Sequence, residues 1–320
     1  MYTMPVALEE FPFVSICTPT FNRRPFIPYI IKCIEQQTYP KDRIEWVVID
    51  DGTDPIGDLV KDLPYVKYFY YETKMELGKK RNLMHTKCSG DILVYMDDDD
   101  YYPPHRVSHS VESLQRNPTF LIAGTSEMHI YFNSCKKMYQ CGPYGANHST
   151  AAAFAFRKEI LLQTHYDDNS FVAEEPVFLK NRTIPMVQMD PLLTICVFSH
   201  QHSSLNKDER MLKNPEKTRT VPSKYSVDDF IKDPVLKQFY MYDMDDLLSN
   251  YELGKIEHKP GLVENISKIE SDRAARINQI QQAHELSNMK NVIADYERKL
   301  AEKHRLIIEL LKTIKQLKSV

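Results

Sequence analysis

Four consecutive aspartates, Asp97 to Asp100, directly follow a short apolar segment, Ile92–Met96. The β-branched and aromatic residues of that segment predict a buried strand, so the four carboxylates come at its carboxyl end. Adjacent carboxylates repel one another, and each raises the cost of ionising its neighbours. A hard divalent cation such as Mg²⁺ or Mn²⁺ relieves that repulsion, and Mg²⁺ commonly lies between one or two carboxylates and the phosphates of a substrate. The run therefore favours a metal site for a phosphorylated ligand.

A helix-capping role is the alternative for the same acidic run. Pro103 and Pro104 predict the start of a helix just beyond it, and a carboxylate near a helix N-terminus gains about 0.3–1 kcal/mol. One acidic residue would be enough for that purpose, so four in a row favour the metal site.

Segments typical of strands and helices alternate between residue 13 and about residue 124. In chain order they are Phe13–Thr18, Phe26–Gln36, Ile44–Ile49, Ile56–Leu63, Val66–Tyr71, Glu76–Thr86 and Ile92–Met96. This alternation predicts an α/β fold with a mostly parallel sheet and helices on its faces, in which ligands bind beyond the carboxyl ends of the strands. Polar residues after the first, second and fourth strands fall where that rule places a binding site.

Composition restricts the class of protein. The net charge of −3 over 320 residues argues against a protein that binds nucleic acid as a whole. The chain has no apolar run of about 20 residues and no signal-peptide pattern at its start, so we expect no membrane span and a cytoplasmic location. Its six cysteines include no CxxC pair and predict buried thiols rather than disulfides.

The sequence divides into three predicted regions. Residues 1–205 are predicted to form one domain, with a nucleotide-binding part at 13–124 and an acceptor-side part at 125–205 that extends the first sheet. Residues 206–261 predict a linker and short helices, because polar residues, proline and glycine interrupt the apolar pattern. Residues 262–320 contain neither proline nor glycine and predict one long helix.

Apolar residues along this last helix recur at alternating intervals of three and four. They stand at positions 286, 289, 293, 296, 300, 307, 310, 314 and 317, and Lys303 occupies the one missing position. Such spacing is typical of a coiled coil, and a helix over this region would be roughly 85 Å long at about 1.5 Å per residue. We therefore expect a homo-oligomer; an amphipathic helix folded back on its own domain is the alternative.

Five segments, including the acidic run, follow one another in a recognisable order. They are Val14–Asn22, Val47–Thr53, Gly78–Asn82, Gly90–Asp100 and Ala173–Pro176. In this order they resemble the motifs of the family 2 glycosyltransferases, the inverting group with the GT-A fold, over about residues 13 to 205. The resemblance implies a metal-dependent enzyme with a Rossmann-like sheet that transfers a sugar from a nucleotide-sugar donor, a UDP-sugar, to a hydroxyl of a glycan or another acceptor.

The same resemblance implies the residues that bind the donor. Asp51 is expected to accept the imide N–H of uracil, and Arg81 is expected to neutralise the departing diphosphate. The main chain at Thr18, Pro19 and Thr20 is expected to line the nucleoside pocket. Lys79 and Lys80 are alternatives for assisting Arg81, but each is expected to be a solvated helix residue.

For the metal, Mn²⁺ or Mg²⁺, the resemblance implies Asp99 as a direct ligand. Asp97 is expected to act directly, through water or on the ribose, and Asp98 to face the sugar. Because aspartate fills every position of the run, the assignment among neighbours stays open. A further ligand is expected from His200 or His202, which share one face of an extended segment, with His202 preferred.

Inversion at a sugar carbon requires a general base that takes the proton of the acceptor hydroxyl. The resemblance implies Glu175 as this base and Glu174 as the second candidate. A Glu pair that caps a helix beginning near Pro176 is the structural alternative.

Two other functions stay open. A sugar-phosphate nucleotidyltransferase has a similar domain, but it usually carries a glycine-rich loop after its first strand, and Thr18–Arg23 has no glycine. A degenerate transferase head on a coiled-coil scaffold would have no activity. The presence of Asp51, Asp99 and Glu175 argues against such a loss.

Overall fold

The computed structural model describes residues 11–318, with the side chains of residues 270, 273, 276 and 277 left out. Contacts divide the chain into two compact units, Met1–Val263 and Glu264–Val320. The ends of the predicted domains, at 1–10 and 319–320, lie outside the described residues.

The first unit contains eleven strands within its described part. The strands are β1 (Val14–Thr20), β2 (Ile44–Asp50), β3 (Val66–Tyr70), β4 (Ile92–Tyr95), β5 (Ile122–Gly124), β6 (Met128–Phe132), β7 (Lys137–Cys141), β8 (Ala155–Arg157), β9 (Met186–Gln188), β10 (Cys196–Ser199) and β11 (Thr220–Pro222). The helices are α1 (Ile27–Glu35), α2 (Gly57–Val60), α3 (Leu77–Lys87), α4 (Arg106–Arg116), α5 (Glu175–Phe178), α6 (Pro215–Thr218), α7 (Val227–Phe230), α8 (Pro234–Gln238), α9 (Met244–Ser249) and α10 (Leu262–Leu317).

Seven strands form the main sheet, in the order β3-β2-β1-β4-β8-β5-β9. β1 pairs in parallel with both β2 and β4, and β3 pairs in parallel with β2. Only β8 runs antiparallel to its neighbours β4 and β5 among the described strands of this sheet. The predicted mostly parallel α/β sheet is therefore confirmed.

Side chains of the central strands are buried on both faces of this sheet. In β1, Ile16 packs into one apolar cluster and Cys17 into the other, and in β2 Trp46 and Val47 divide in the same way. Strands covered on both faces carry more apolar residues than strands with one solvated face, which is why these strands are recognisable in the sequence.

A second sheet has the order β10-β6-β7-β11. β6 and β7 form an antiparallel hairpin, and β11 adds to the edge of β7 in antiparallel register. Residues 125–205 were expected to extend the first sheet; β8 and β9 do so, whereas β6 and β10 belong to this second sheet. A short 3-10 segment, Lys158–Leu162, directly follows β8.

The segment predicted as a linker, residues 206–261, packs on the core of the first unit. Its short helices bury apolar side chains, which include Phe230, Leu236, Phe239 and Tyr240. The Tyr240 hydroxyl donates to the main-chain oxygen of Asp100 across 2.8 Å. This segment therefore supports the loop that carries the acidic run.

The long C-terminal helix predicted from the sequence is confirmed as α10, which has 56 residues. Its apolar side chains at the predicted positions are exposed, among them Met289, Ile293, Leu300 and Ile307. Within residues 11–318, no helix combines the length and hydropathy that crossing a bilayer requires. All six cysteines are free thiols, and five of them are buried.

Candidate active site

The carboxyl ends of β1, β2 and β4 meet at one edge of the main sheet, because the three strands are parallel neighbours. A cavity of about 140 Å³ opens there. Of the donor-binding and metal residues expected from the sequence, Pro19, Thr20, Arg81, Asp97, Asp98 and Asp99 line it. Thr18 does not, because its hydroxyl donates to the Met96 oxygen at 2.6 Å and accepts the Trp46 indole N–H at 2.8 Å inside the core.

Asp51 is buried at the end of β2 and makes an ion pair with Lys80 of α3. The other Asp51 oxygen accepts the main-chain N–H of Met75 at 2.7 Å, and the Lys80 ammonium also donates to the Thr20 oxygen at 2.8 Å. Burial lowers the pKa of Lys80, and the Asp51 charge opposes that shift. The expectation that Lys80 is a solvated helix residue is wrong, since only 4 % of it is exposed.

Arg81 links the acidic run to the predicted base region. Its Nε donates to Glu174 Oε1 at 2.8 Å, and its Nη2 lies 3.5 Å from Asp97 Oδ2. The guanidinium carbon also lies 4.5 Å from the centre of the Tyr95 ring. Burial lowers the pKa of Arg81, but the charges of Asp97 and Glu174 outweigh burial and raise it well above its ordinary value.

Arg23, which the sequence analysis did not assign, pairs with two acids of the run. Its Nη2 lies 3.3 Å from Asp99 Oδ2, and its Nε lies 3.6 Å from Asp98 Oδ1. Burial and the neighbouring Asp99 charge raise the pKa of Asp98 to about 7. Burial also acts to raise the pKa of Asp99, but the hydrogen bond from His200 and the charge of Arg23 outweigh it and lower that pKa. Adjacent acids of the run thus differ in proton affinity.

His200 and His202 lie beside this run in different environments. The His202 main-chain N–H donates to His200 Nδ1 at 3.2 Å, so in the neutral ring Nε2 carries the proton and donates to Asp99 Oδ2 at 3.2 Å. Burial lowers the pKa of His200 to about 4, which keeps it neutral. The His202 ring is fully buried, and neither of its nitrogens has a hydrogen-bond partner among the described residues.

The donor atoms present fit a divalent cation that takes part of its coordination from a substrate. No cluster of three or more His, Cys, Asp or Glu side chains that could hold a metal occurs within residues 11–318. Mg²⁺ and similar ions commonly use only one or two carboxylates and complete their shell with phosphates and water. Asp97 Oδ1 and both ring nitrogens of His202 are buried without a partner in the described structure, so the Asp97 oxygen and the unprotonated nitrogen of His202 are unused ligand atoms.

The two predicted base candidates have different partners. Glu174 is 3 % exposed and ion-paired with Arg81, and burial together with the Glu175 charge raises its pKa. Glu175 is the first residue of α5, and its Oε1 accepts the main-chain N–H of Ala151 at 3.1 Å. Glu174 makes no side-chain capping hydrogen bond to α5. The capping alternative therefore has no support at Glu174.

Two lysines of the cavity were not predicted. Lys259 is buried just before α10, and its ammonium donates to Ser204 Oγ at 2.9 Å. The Lys74 ammonium lies 5.3 Å from the Phe21 ring centre and 5.5 Å from that of Phe171. Arg23 could have been predicted as a site residue, because it lies in the turn that follows β1. No local sequence pattern indicates Lys259, which is far in sequence from the other residues of the cavity.

A mostly parallel sheet that carries clustered carboxylates and cations at its carboxyl edge is the arrangement of a GT-A glycosyltransferase domain. The profile of the family described as Glycosyl transferase family 2 matches residues 15–162, and the chain therefore carries a family 2 glycosyltransferase domain. This match confirms the predicted family for residues 15–162.

Individual relatives agree with this family. The poly(ribitol-phosphate) β-N-acetylglucosaminyltransferase TarS of Staphylococcus aureus is 28 % identical over 100 residues, which are 27 % of this chain and 16 % of that protein. The GalNAc(5)-diNAcBac-PP-undecaprenol β-1,3-glucosyltransferase of Campylobacter jejuni is 33 % identical over 96 residues, or 28 % of this chain and 30 % of that protein. The chain thus matches less than half of the length of each.

Among solved structures, the mannosyltransferase PcManGT of Pyrobaculum calidifontis, in complex with GDP-Man and Mn²⁺, has a TM-score of 0.50 and 14 % identity. The alignment covers 86 % of this chain and 81 % of that chain. This likeness supports the fold.

Proposed function

We propose that this protein is a metal-dependent inverting glycosyltransferase that moves a sugar from a nucleotide-diphosphate sugar to an acceptor hydroxyl. The observation that carries the proposal is the alternation of cations and carboxylates at the carboxyl edge of the sheet, where Arg23 and Arg81 both pair with the acidic run. A diphosphate needs cations and a metal needs carboxylates, and this edge supplies both. PcManGT, which shares the fold, was solved with a nucleotide sugar and Mn²⁺.

The donor is proposed to be a UDP-sugar. Asp51 and Lys80 place a hydrogen-bond acceptor beside a donor at the end of β2. The imide edge of uracil has the complementary pattern, an N–H beside a carbonyl. Pro19 and Thr20 line the adjoining cavity and would contact the nucleoside.

The metal, Mn²⁺ or Mg²⁺, would be held by Asp99 and Asp97, and the phosphates of the donor together with water would complete its coordination. When bound, it would supply positive charge that stabilises the departing nucleotide diphosphate. His200 has Nδ1 occupied as an acceptor and donates to Asp99, so we assign it to orienting Asp99 in place of the ligand role first expected. Arg23, which now neutralises Asp98 and Asp99, would then be free to contact the diphosphate.

Glu175 is proposed as the general base. Glu174 is committed to Arg81, whereas one Glu175 oxygen is fixed by the Ala151 N–H and its other oxygen has no hydrogen-bond partner among the described residues. That oxygen can accept the proton of the acceptor hydroxyl as the hydroxyl attacks the sugar carbon. The acceptor, a glycan or another hydroxyl compound, would enter from the side formed by residues 125–205.

The helix α10 is proposed to form a coiled coil with a second copy of the chain. It exposes Ile307, Leu310 and Ile314 at the three-four spacing of such an interface. In that arrangement the catalytic domains would be tethered as an oligomer.

The deciding experiment is nucleotide release from a panel of UDP-sugars and GDP-sugars, with Mn²⁺ or with a chelator. We expect turnover of at least one UDP-sugar with Mn²⁺ and none with the chelator. If no nucleotide sugar is turned over, and none raises the melting temperature with Mn²⁺ present, the domain is a degenerate head on a helical scaffold.

A further inference from the structure

We propose that a second cavity, which we call the tyrosine pocket, binds an oligosaccharide chain. The cavity has a volume of about 480 Å³, within the range of about 300–1,000 Å³ that is usual for ligand sites. Its walls include Tyr131, Tyr139, Tyr225 and Tyr242. None of its lining residues lines the cavity of the candidate active site.

The tyrosine pocket is formed where the segment after β11 packs on the second sheet. Tyr131 and Tyr139 come from the β6–β7 hairpin, whereas Tyr225 and Tyr242 flank the short helices α7 and α8. Only the hairpin falls within the residues matched by the family profile. One wall of the pocket therefore comes from a part of the chain that lies beyond the matched transferase domain.

The four tyrosines offer the two features by which proteins bind sugars. Tyr242 presents an exposed ring face that can stack on the C–H face of a pyranose, whereas Tyr139 and Tyr225 are half-buried and Tyr131 is buried. A tyrosine hydroxyl can also donate to or accept from a sugar hydroxyl. None of the four hydroxyls makes a hydrogen bond to another residue within the part of the chain that the structure describes. Tyr242 is 61 % exposed, a large value for an aromatic side chain that lines a cavity.

The charged groups of the pocket favour a hydroxyl-rich ligand over a strongly anionic polymer. Lys237 pairs with Asp228, and Lys136 pairs with Asp245 at 2.9 Å, so two of the lining lysines are already neutralised. Among the described residues, Lys137 has no carboxylate within ion-pair distance and stays available for one further contact. Ion-paired side chains present fixed donors and acceptors, which match the hydroxyls of a sugar.

This inference deepens the proposed function, on which the identity of the ligand as acceptor rests. A pocket separate from the reacting centre would hold the body of a glycan chain while its end lies at the active site. The protein would then favour acceptors longer than a single sugar, because the second contact adds binding energy.

The test measures the binding of three uncharged hexasaccharides, chitohexaose, maltohexaose and cellohexaose, to the full chain by saturation-transfer NMR and calorimetry. We expect at least one of them to bind, and the double variant Tyr225→Ala/Tyr242→Ala to raise its Kd about tenfold or more through loss of stacking. Tyr242→Phe should keep most of the affinity. Tyr70→Ala, which removes a tyrosine that is 43 % exposed on strand β3, is the matched control and should leave the Kd unchanged.

Binding of none of the three probes, or equal binding by the double variant and the wild type, would overturn the inference. Donor hydrolysis separates it from the proposed function. The tyrosine variants should hydrolyse donor as the wild type does, and Asp99→Ala should still bind the glycan. Glycan binding without any donor turnover would refute the transferase proposal and leave the pocket assignment standing.

Discussion

Arg81 Nε and Glu174 Oε1 lie 2.8 Å apart, and both side chains are almost fully buried. This ion pair links helix α3, which carries Lys80 and Arg81, to the segment that leads into α5 and the proposed base. Because Arg81 also approaches Asp97, one guanidinium connects the acidic run with the segment that carries the proposed base.

Replacing Arg81 by methionine should destabilise the protein and weaken donor binding. The change leaves the Glu174 carboxylate buried without its partner, which costs about 3–5 kcal/mol. Urea unfolding at pH 7 measures the loss, and Lys79→Met on the exposed side of the same helix is the control. A variant as stable as the control would show that Glu174 is not held as an ion by Arg81.

Asp99→Ala should abolish Mn²⁺-dependent donor turnover while the fold is retained. The change removes the acid that accepts from His200 and contacts Arg23, and it also relieves repulsion with Asp98. Nucleotide release and circular dichroism are the measurements, with Asp62→Ala on the exposed surface as the control. Wild-type turnover in Asp99→Ala would refute its assignment as a metal ligand.

Glu175→Gln should bind donor normally and lose transfer by about 10²-fold or more, the usual cost of removing a general base. Glutamine keeps the hydrogen bond from the Ala151 N–H, so the loop should keep its conformation. Calorimetry with UDP gives donor affinity and acceptor-dependent product formation gives transfer. The exposed Glu159→Gln is the control. If Glu175→Gln transfers normally and Glu174→Gln does not, the base is Glu174.

Below the ordinary pKa of histidine, the free energy of unfolding should decrease as the pH decreases, and His85 should contribute to this decrease. Burial, with the nearby Arg81 charge, lowers the pKa of His85 to about 3, while its Nε2 lies 2.7 Å from the Tyr95 hydroxyl oxygen. Between about pH 6.5 and 3 the unfolded chain binds the extra proton, so this residue contributes a loss of up to about 1.4 kcal/mol per pH unit as pH decreases.

Replacing His85 by phenylalanine removes that titration. Urea unfolding at pH 7, 6 and 5 should show a smaller loss of stability with decreasing pH in His85→Phe than in the wild type. Equal slopes for the two proteins would mean that His85 does not carry the effect.

Removing residues 264–320 should leave a folded first unit with a smaller assembly mass. The described contacts divide the chain at Val263, so the cut falls at a boundary between compact units. Light scattering after size exclusion measures the mass. In the full chain, Ile307→Asp/Ile314→Asp should have the same effect, whereas Glu302→Lys, off the apolar stripe, should not. An unchanged mass would exclude the coiled coil.

The central strands were predictable because they are buried on both faces. β1, β2 and β4 appear in the sequence as short segments rich in Val, Ile and aromatic residues, and the polar residues after them indicated the positions of the acidic run and of Asp51. The second sheet was harder to predict from the sequence, because β7 is half-exposed and carries Lys137 and Gln140 among its five residues. Its strands are recognisable only once their partners are known.

The residues of the candidate site could likewise be predicted from the sequence only in part. Asp51 and Arg81 were found because they stand in local motifs. Lys80 of α3 is buried beside Asp51, which follows strand β2, and Lys259 reaches the cavity from a segment still more distant in sequence. A lysine on a helix looks solvated until the carboxylate opposite it is known, and no local pattern supplies that information.

The hydrogen bond from Tyr240 to the Asp100 oxygen has a practical consequence for anyone preparing shorter versions of this protein. A fragment trimmed to the profile match, residues 15–162, would leave out β10, with which Tyr101 pairs, and the aromatic side chains that cover the aspartate turn. Such a fragment would expose apolar surface that is buried in the longer chain. Its aspartates would also lose the contacts with Tyr240 and β10 that hold the turn in place.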